Sequence, residues 1–359
     1  MRDRLFSRWG VLAVVCAAAT AWLVASVPLA GQGAAASGAA AGAATRASWK
    51  PTRTADGHPD LQGYWTNVVF TPLERPKEYE GKEFLTEPEL DAFFKKSMAE
   101  SADQTFEHPE GTPVYDATTW GLDAWQQGAK PNLRTSIVID PRDGKLPAMT
   151  PEAANRRETA RTAAAAARPA PGDGYFWNGQ WASYPDSYRQ AGLGLRCLYF
   201  GGGNPPYLPC NYDNTYHIVQ SKDAVAFLYE RNVLRVVPLD GGPHLPDGIR
   251  QLYGDSRGRW EGETLVVETT NFSNRASIRG ATQGVTVTER YTRIDETTIQ
   301  YQFTVDDQAT WGRPWTGELP MNKIEGPTFE YACHEGNRGL TNILSAARAR
   351  ERATGPGTR

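Results

Sequence analysis

Val285-Thr286-Val287-Thr288-Glu289-Arg290-Tyr291 is the stretch that decides the fold of this chain. Val285, Val287, Glu289 and Tyr291 alternate along one face of an extended segment. A period of two with apolar residues on one side is the signature of a half-buried strand. Glu289 therefore lands on the face expected to be buried, where an acid is costly unless it is paired or put to use. The stretch Ile299-Gln300-Tyr301-Gln302-Phe303-Thr304-Val305 carries a matching apolar face. Residues 285–294 and 298–305 thus read as a hairpin turning at Asp295-Glu296-Thr297.

Working outward, residues 216–220, 224–230, 234–238 and 264–270 read as further strands. Asp240-Gly241-Gly242 and the glycine-rich, charged stretch 254–262 read as turns between them. Glu230 follows Val225-Ala226-Phe227-Leu228-Tyr229, and Glu268 follows Leu265-Val266-Val267, so both repeat the pattern of Glu289. Arg235 interrupts the otherwise apolar Leu234-Arg235-Val236. Glutamates lining an apolar β interior point to a polar spot inside a pocket. Far upstream, Asp60-Leu61-Gln62-Gly63-Tyr64-Trp65 reads as a turn leading into a first strand. Thr86 and Glu89 have capping-box spacing ahead of an apolar stripe of Leu90, Phe93 and Phe94, which predicts a helix. Residues 134–140 read as a strand, and a second, alanine-rich helix runs from Thr150 to about Ala167, outside the core. Residues 329–333 read as a last strand. Leu340, Ile343, Leu344 and Ala347 have the spacing of an amphipathic C-terminal helix.

The N-terminus reads as a targeting segment. Arg2, Arg4 and Arg8 precede an apolar run over residues 9–30, and an Ala/Gly-rich tether follows over 31–47. Residues 1–30 are therefore expected to be a signal peptide, with an uncleaved membrane anchor as the alternative, and residues 48–359 a single domain. The expected compartment is the periplasm or the cell exterior. The formal net charge is −3 and no basic stripe exists, which argues against nucleic acid as a partner. In an oxidising compartment, Cys197 and Cys210 are expected to pair and leave Cys333 as a free thiol.

Gly63-Tyr64-Trp65 resembles the G-x-W signature of lipocalins and other calycin barrels. Pro59-Asp60-Leu61-Gln62-Gly63-Tyr64-Trp65-Thr66-Asn67, Pro72-Leu73-Glu74-Arg75-Pro76, Pro238-Leu239-Asp240-Gly241, the stretch from Gly254 to Gly262 and Tyr331-Ala332-Cys333-His334-Glu335-Gly336-Asn337 are similar to a family of uncharacterised secreted bacterial proteins common in Acidobacteria and Proteobacteria. The resemblance implies the compartment and a lipocalin-like fold, and it implies no activity.

Several constellations have bland readings. Gly254-Asp255-Ser256-Arg257-Gly258 matches G-x-S-x-G, but turn and strand follow where a nucleophile elbow needs a helix. None of the five histidines has a metal-binding spacing, so no metal site and no cofactor are expected. Trp311-Gly312-Arg313-Pro314-Trp315 has the form of an aromatic clamp, and core packing is its plainer reading.

The sequence thus predicts a mainly β, lipocalin-like antiparallel barrel with a helix-loop insertion at about 71–194 and a C-terminal helix. A β-sandwich is the alternative. The expected function is binding of a small, partly apolar molecule, with Tyr229, Glu230, Arg235, Tyr301, Phe303, Trp311 and Trp315 as ligand-binding residues. The second reading is a lyase, isomerase or hydrolase without organic cofactor, using Glu289 or Glu268 with His334 as acid and base. The third is a structural envelope protein whose acids are satisfied internally.

Overall fold

A computed structural model of the chain describes residues 49–102, 106–107, 113–115, 128–166, 187–189, 196–198, 204–209, 214–230, 233–273, 278–328 and 332–354. Its strands are β1 (Gly63–Thr66), β2 (Phe106–Glu107), β3 (Pro113–Tyr115), β4 (Val138–Asp140), β5 (Thr215–Gln220), β6 (Ala224–Tyr229), β7 (Val233–Pro238), β8 (Asp255–Glu261), β9 (Thr264–Thr270), β10 (Thr286–Asp295), β11 (Thr298–Asp306) and β12 (Trp315–Ile324). Its helices are α1 (Glu87–Ala102), α2 (Pro151–Ala166), the single turn α3 (Cys333–Gly336) and α4 (Arg338–Thr354). The expected leader and tether, residues 1–47, lie outside the described residues. Among the described residues no helix is long and apolar enough to cross a membrane.

Alternation builds the sheet. In β10 every second residue from Val287 is buried, and β11 repeats this from Ile299, with Glu289 opposite Phe303 and Tyr291 opposite Tyr301. One continuous antiparallel order results: β7-β6-β5-β1-β12-β11-β10-β9-β8. The short β4 pairs the first part of β12, and β1 pairs the last part of it. β1 therefore joins two sequential meanders, β5–β7 on one side and β8–β12 on the other. The fold is mainly β and antiparallel, as expected.

The inner face is aromatic. A chain of ring contacts runs Phe227–Tyr291–Tyr301–Phe303–Trp315–Trp311, with centroids 4.9 to 5.8 Å apart. Near the β10–β11 turn, Trp65 is fully buried and its indole N–H donates to the Leu61 carbonyl at 2.9 Å. The Arg293 guanidinium lies 5.6 Å from the Trp65 ring centroid and donates to the carbonyls of Asp60 and Glu296.

Two strands depart from the sequence reading. The stretch expected as a turn at 254–262 contains β8. Gly258 is required there because a Cβ would press into the Val237 and Leu239 side chains. β12 alternates in burial from Trp315 to Met321, but Gly317 at an inward position and Pro320 at an outward one hide that period in the sequence. Gly317 sits opposite Phe303, whose ring fills the space a Cβ would need. The expected strand at 329–333 is also corrected. Residues 329–331 lie outside the described residues, and Cys333 opens α3 instead.

The helices follow their signals. Thr86 donates its backbone N–H to Glu89 at 2.8 Å, closing half of the expected capping box. Lys82 and Thr86 hold the Glu89 carboxyl down at about 2. Ile343 and Ala347 turn inward from α4. The disulfide joins Cys197 to Cys333, with Cα atoms 5.7 Å apart, and not to Cys210, which lies outside the described residues. Sequence proximity favoured the short loop, whereas the fold brings the start of α3 beside residue 197.

Candidate functional site

The buried acid of the opening stretch has three donors. Glu289 is wholly inaccessible to solvent and is ion-paired to Arg235 Nη2 through Oε2. Tyr291 and Tyr301 each donate a phenol O–H to Oε1 at 2.8 Å. Strand alternation assembles this set: Tyr291 lies two residues beyond Glu289 on β10, and Tyr301 lies opposite Tyr291 on β11. Arg235 comes from β7, at the far end of the sheet order. It reaches Ser256 Oγ on β8 through Nε at 2.9 Å and Thr269 Oγ1 on β9 through Nη2 at 2.8 Å. No ladder pairs β7 with β8, so this guanidinium is a side-chain bridge between the two ends of the sheet.

One edge of that guanidinium is unused. Arg235 Nη1 is buried and has no hydrogen-bond partner. The guanidinium carbon lies over the rings of Tyr207 and Phe227, 5.4 and 5.8 Å from their centroids. Burial works against the charged guanidinium, but Glu289 prevails and holds its pKa well above the ordinary value. Burial pushes the phenols of Tyr207, Tyr291 and Tyr301 upward, and the Glu289 carboxylate adds to this. These three phenols are expected to stay silent in an ultraviolet difference titration until the protein unfolds. Their folded pKa values lie above the unfolded value of about 10, so their contribution to stability is intact below that pH and is lost as pH rises past it. Each then removes up to about 1.4 kcal/mol per pH unit. Three phenolates appearing in the still-folded protein near their ordinary value would refute this.

The other expected residues distribute as follows. Tyr229, Phe303, Trp311 and Trp315 lie in the same buried cluster as Tyr301. Trp311 and Trp315 meet edge to face at 5.8 Å, with 1% and 0% of their surfaces exposed, so the pair presents no open face to solvent. Glu230 sits just past β6, partly buried, and its carboxylate accepts the Thr215 N–H at 3.3 Å. Glu268 differs from the expectation. Val267 and Thr269 point inward, so Glu268 lies on the outer face of β9, with 42% of its side chain exposed. Arg290 also faces outward, to Glu261 at 2.9 Å. His334 is exposed on α3, and no hydrogen bond or ion pair links it to Glu289 or Glu268.

The histidine beside Glu268 is His244. Its Nδ1 lies 2.8 Å from Asp255 Oδ2 and its Nε2 lies 3.2 Å from Glu268 Oε1. Asp255 also accepts the Leu245 N–H at 2.9 Å, which pins the loop after β7 onto the outer face of β8 and β9. Spacing gave no sign of this trio, because His244 comes from a loop. Ser256, the middle of the apparent nucleophile motif, faces inward to Arg235 and Thr269. Among the described residues no three His, Cys, Asp or Glu side chains are set to hold a metal ion.

Comparison with protein-family models, curated proteins and solved structures finds no match to this chain.

Proposed function

We propose that this is a small-molecule-binding protein of the periplasm or cell exterior, whose sheet curls into a lipocalin-like barrel around a partly apolar ligand. The observation that carries the reading is the unbonded Arg235 Nη1, a buried donor on a guanidinium that lies over the Tyr207 and Phe227 rings. A buried donor without a partner costs about 1–3 kcal/mol, and a ligand oxygen would recover it. The bridge from β7 to β8, β9 and β10 supports closure of the sheet. The leader-like N-terminus and the Cys197–Cys333 disulfide support an oxidising compartment.

The test is a thermal-shift screen of residues 48–359 against sugars, phenolics, steroids and lipids, with wild type and Glu289→Gln in parallel. A ligand is expected to stabilise the wild type. Its affinity for the variant should fall by roughly tenfold, about 1.4 kcal/mol, because the variant loses the charge that orients Arg235. Absence of stabilisation by any class would sink the reading in favour of a purely structural Glu289–Arg235 pair.

The Asp255–His244–Glu268 trio favours a second reading, an acid–base lyase, isomerase or hydrolase on the outer face. In it, Asp255 orients the ring and Glu268 exchanges a proton with Nε2. Any turnover found should then fall by at least about a hundredfold in His244→Ala. Turnover that survives this change discards the trio.

A further inference from the structure

Tyr207 is an interior residue supplied by a loop. It lies in the stretch 204–209, which belongs to no strand or helix, yet its side chain is 2% exposed. It packs against Tyr216 at 4.8 Å, Phe227 at 6.2 Å and Tyr301 at 6.3 Å, all inward-facing strand residues. A buried loop must find partners for its backbone groups. Here those partners are side chains: the Tyr207 N–H donates to the Tyr301 hydroxyl at 2.9 Å, and the Tyr207 carbonyl accepts from Asn67 Nδ2 at 3.0 Å. Two of the residues that touch Tyr207 carry an unspent buried polar atom. Arg235 Nη1 lacks an acceptor, and Asn67 Oδ1 lacks a donor.

We propose that Tyr207 holds the place of the ligand, and that the ligand is a neutral aromatic molecule with an acceptor oxygen, a phenol or aryl carbonyl, that enters as Tyr207 withdraws. This rests on the interior-binding reading above. The ring specificity follows from the Tyr207 ring, over whose face the Arg235 guanidinium carbon lies at 5.4 Å and which the ring of a ligand would replace. Neutrality follows from charge balance. Arg235 and Glu289 already compensate each other in a dry interior, so an anionic ligand would bring an unpaired charge with it. The oxygen is for Nη1, which has two hydrogens to give. Among the described residues no strand pairs with 204–209, and the two backbone hydrogen bonds that Tyr207 breaks on leaving, to Tyr301 and from Asn67, end on side chains that an incoming ligand or water can satisfy.

The experiment uses three probes of one shape: para-ethylphenol, ethylbenzene and para-ethylbenzoate. Each is titrated by calorimetry into the wild type and Tyr207→Ala, and backbone hydrogen exchange of the wild type is followed with and without each probe. The expected result is that para-ethylphenol binds best to both proteins, and roughly tenfold more tightly to Tyr207→Ala, where the internal competitor is gone. In the wild type it should also speed exchange across residues 204–209. Equal affinity for both proteins with unchanged exchange would overturn the place-holder role. The interior reading would survive that result if Glu289→Gln still weakened binding. Preference for para-ethylbenzoate would overturn the neutral class alone. Binding of no probe to either protein would overturn this proposal and the reading beneath it. Should Tyr207→Ala not fold, the exchange experiment on the wild type decides.

Discussion

Glu289→Leu should lower the stability of the folded chain by about 3–5 kcal/mol, the usual loss when one partner of a buried ion pair is removed. The mechanism is specific. Leucine leaves the Arg235 guanidinium inside the sheet with only the hydroxyls of Ser256 and Thr269, and it strips the acceptor from Tyr291 and Tyr301. Adding Arg235→Met should restore most of the loss, because two apolar side chains of similar size no longer carry a stranded charge. The residual deficit should trace to the two phenols, which keep their burial and lose their acceptor. Urea unfolding of the wild type, both single variants and the double variant gives the coupling energy directly. Additive losses, with the double variant worse than either single one, would show that the pair is not the unit described.

The second large effect is expected at Trp65. Trp65→Ala removes a fully buried indole and should cost about 3–5 kcal/mol. Three losses combine: the ring volume, the hydrogen bond to the Leu61 carbonyl, and the surface beneath the Arg293 guanidinium. Trp65→Phe separates them, since it keeps a ring below Arg293 and gives up the indole N–H. It should lose about half as much. The same unfolding measurement checks both variants. A cost below about 1 kcal/mol for Trp65→Ala would mean that the residues around Trp65 collapse into the gap.

The hairpin of β10 and β11 was legible because its alternation is unbroken over both strands, and the buried acid was legible for the same reason. β8 and β12 were not, and the cause is close packing. Gly258 and Gly317 stand at inward positions where neighbouring side chains leave no room for a Cβ, and glycine carries no apolar side chain to mark the inward face. Glu268 was placed on the wrong face because Leu265-Val266-Val267 is apolar at every position. All three residues are buried, so parity cannot be read from such a run. Arg235 stands out in the sequence as an interruption, but its reach to three other strands depends on the two ends of the sheet meeting in space. Tyr207 and His244 were missed because loops carry no period. Cys333 was left unpaired because disulfide connectivity is set by the fold and not by spacing.

The position of β1 dictates the order in which the molecule can be completed. Each meander contains only neighbours in sequence, so β5–β7 and β8–β11 can each pair locally while the rest of the chain is still unfolded. β1 is made first and has nothing to pair with until β5 appears, and its other edge waits for β12, near the end of the chain. Because β1 is the splice between the two halves, no partial product holds the finished sheet. Until β12 docks on β1, the chain remains two separate sheets, β1 with β5–β7 and the β8–β11 meander, with their aromatic faces uncovered.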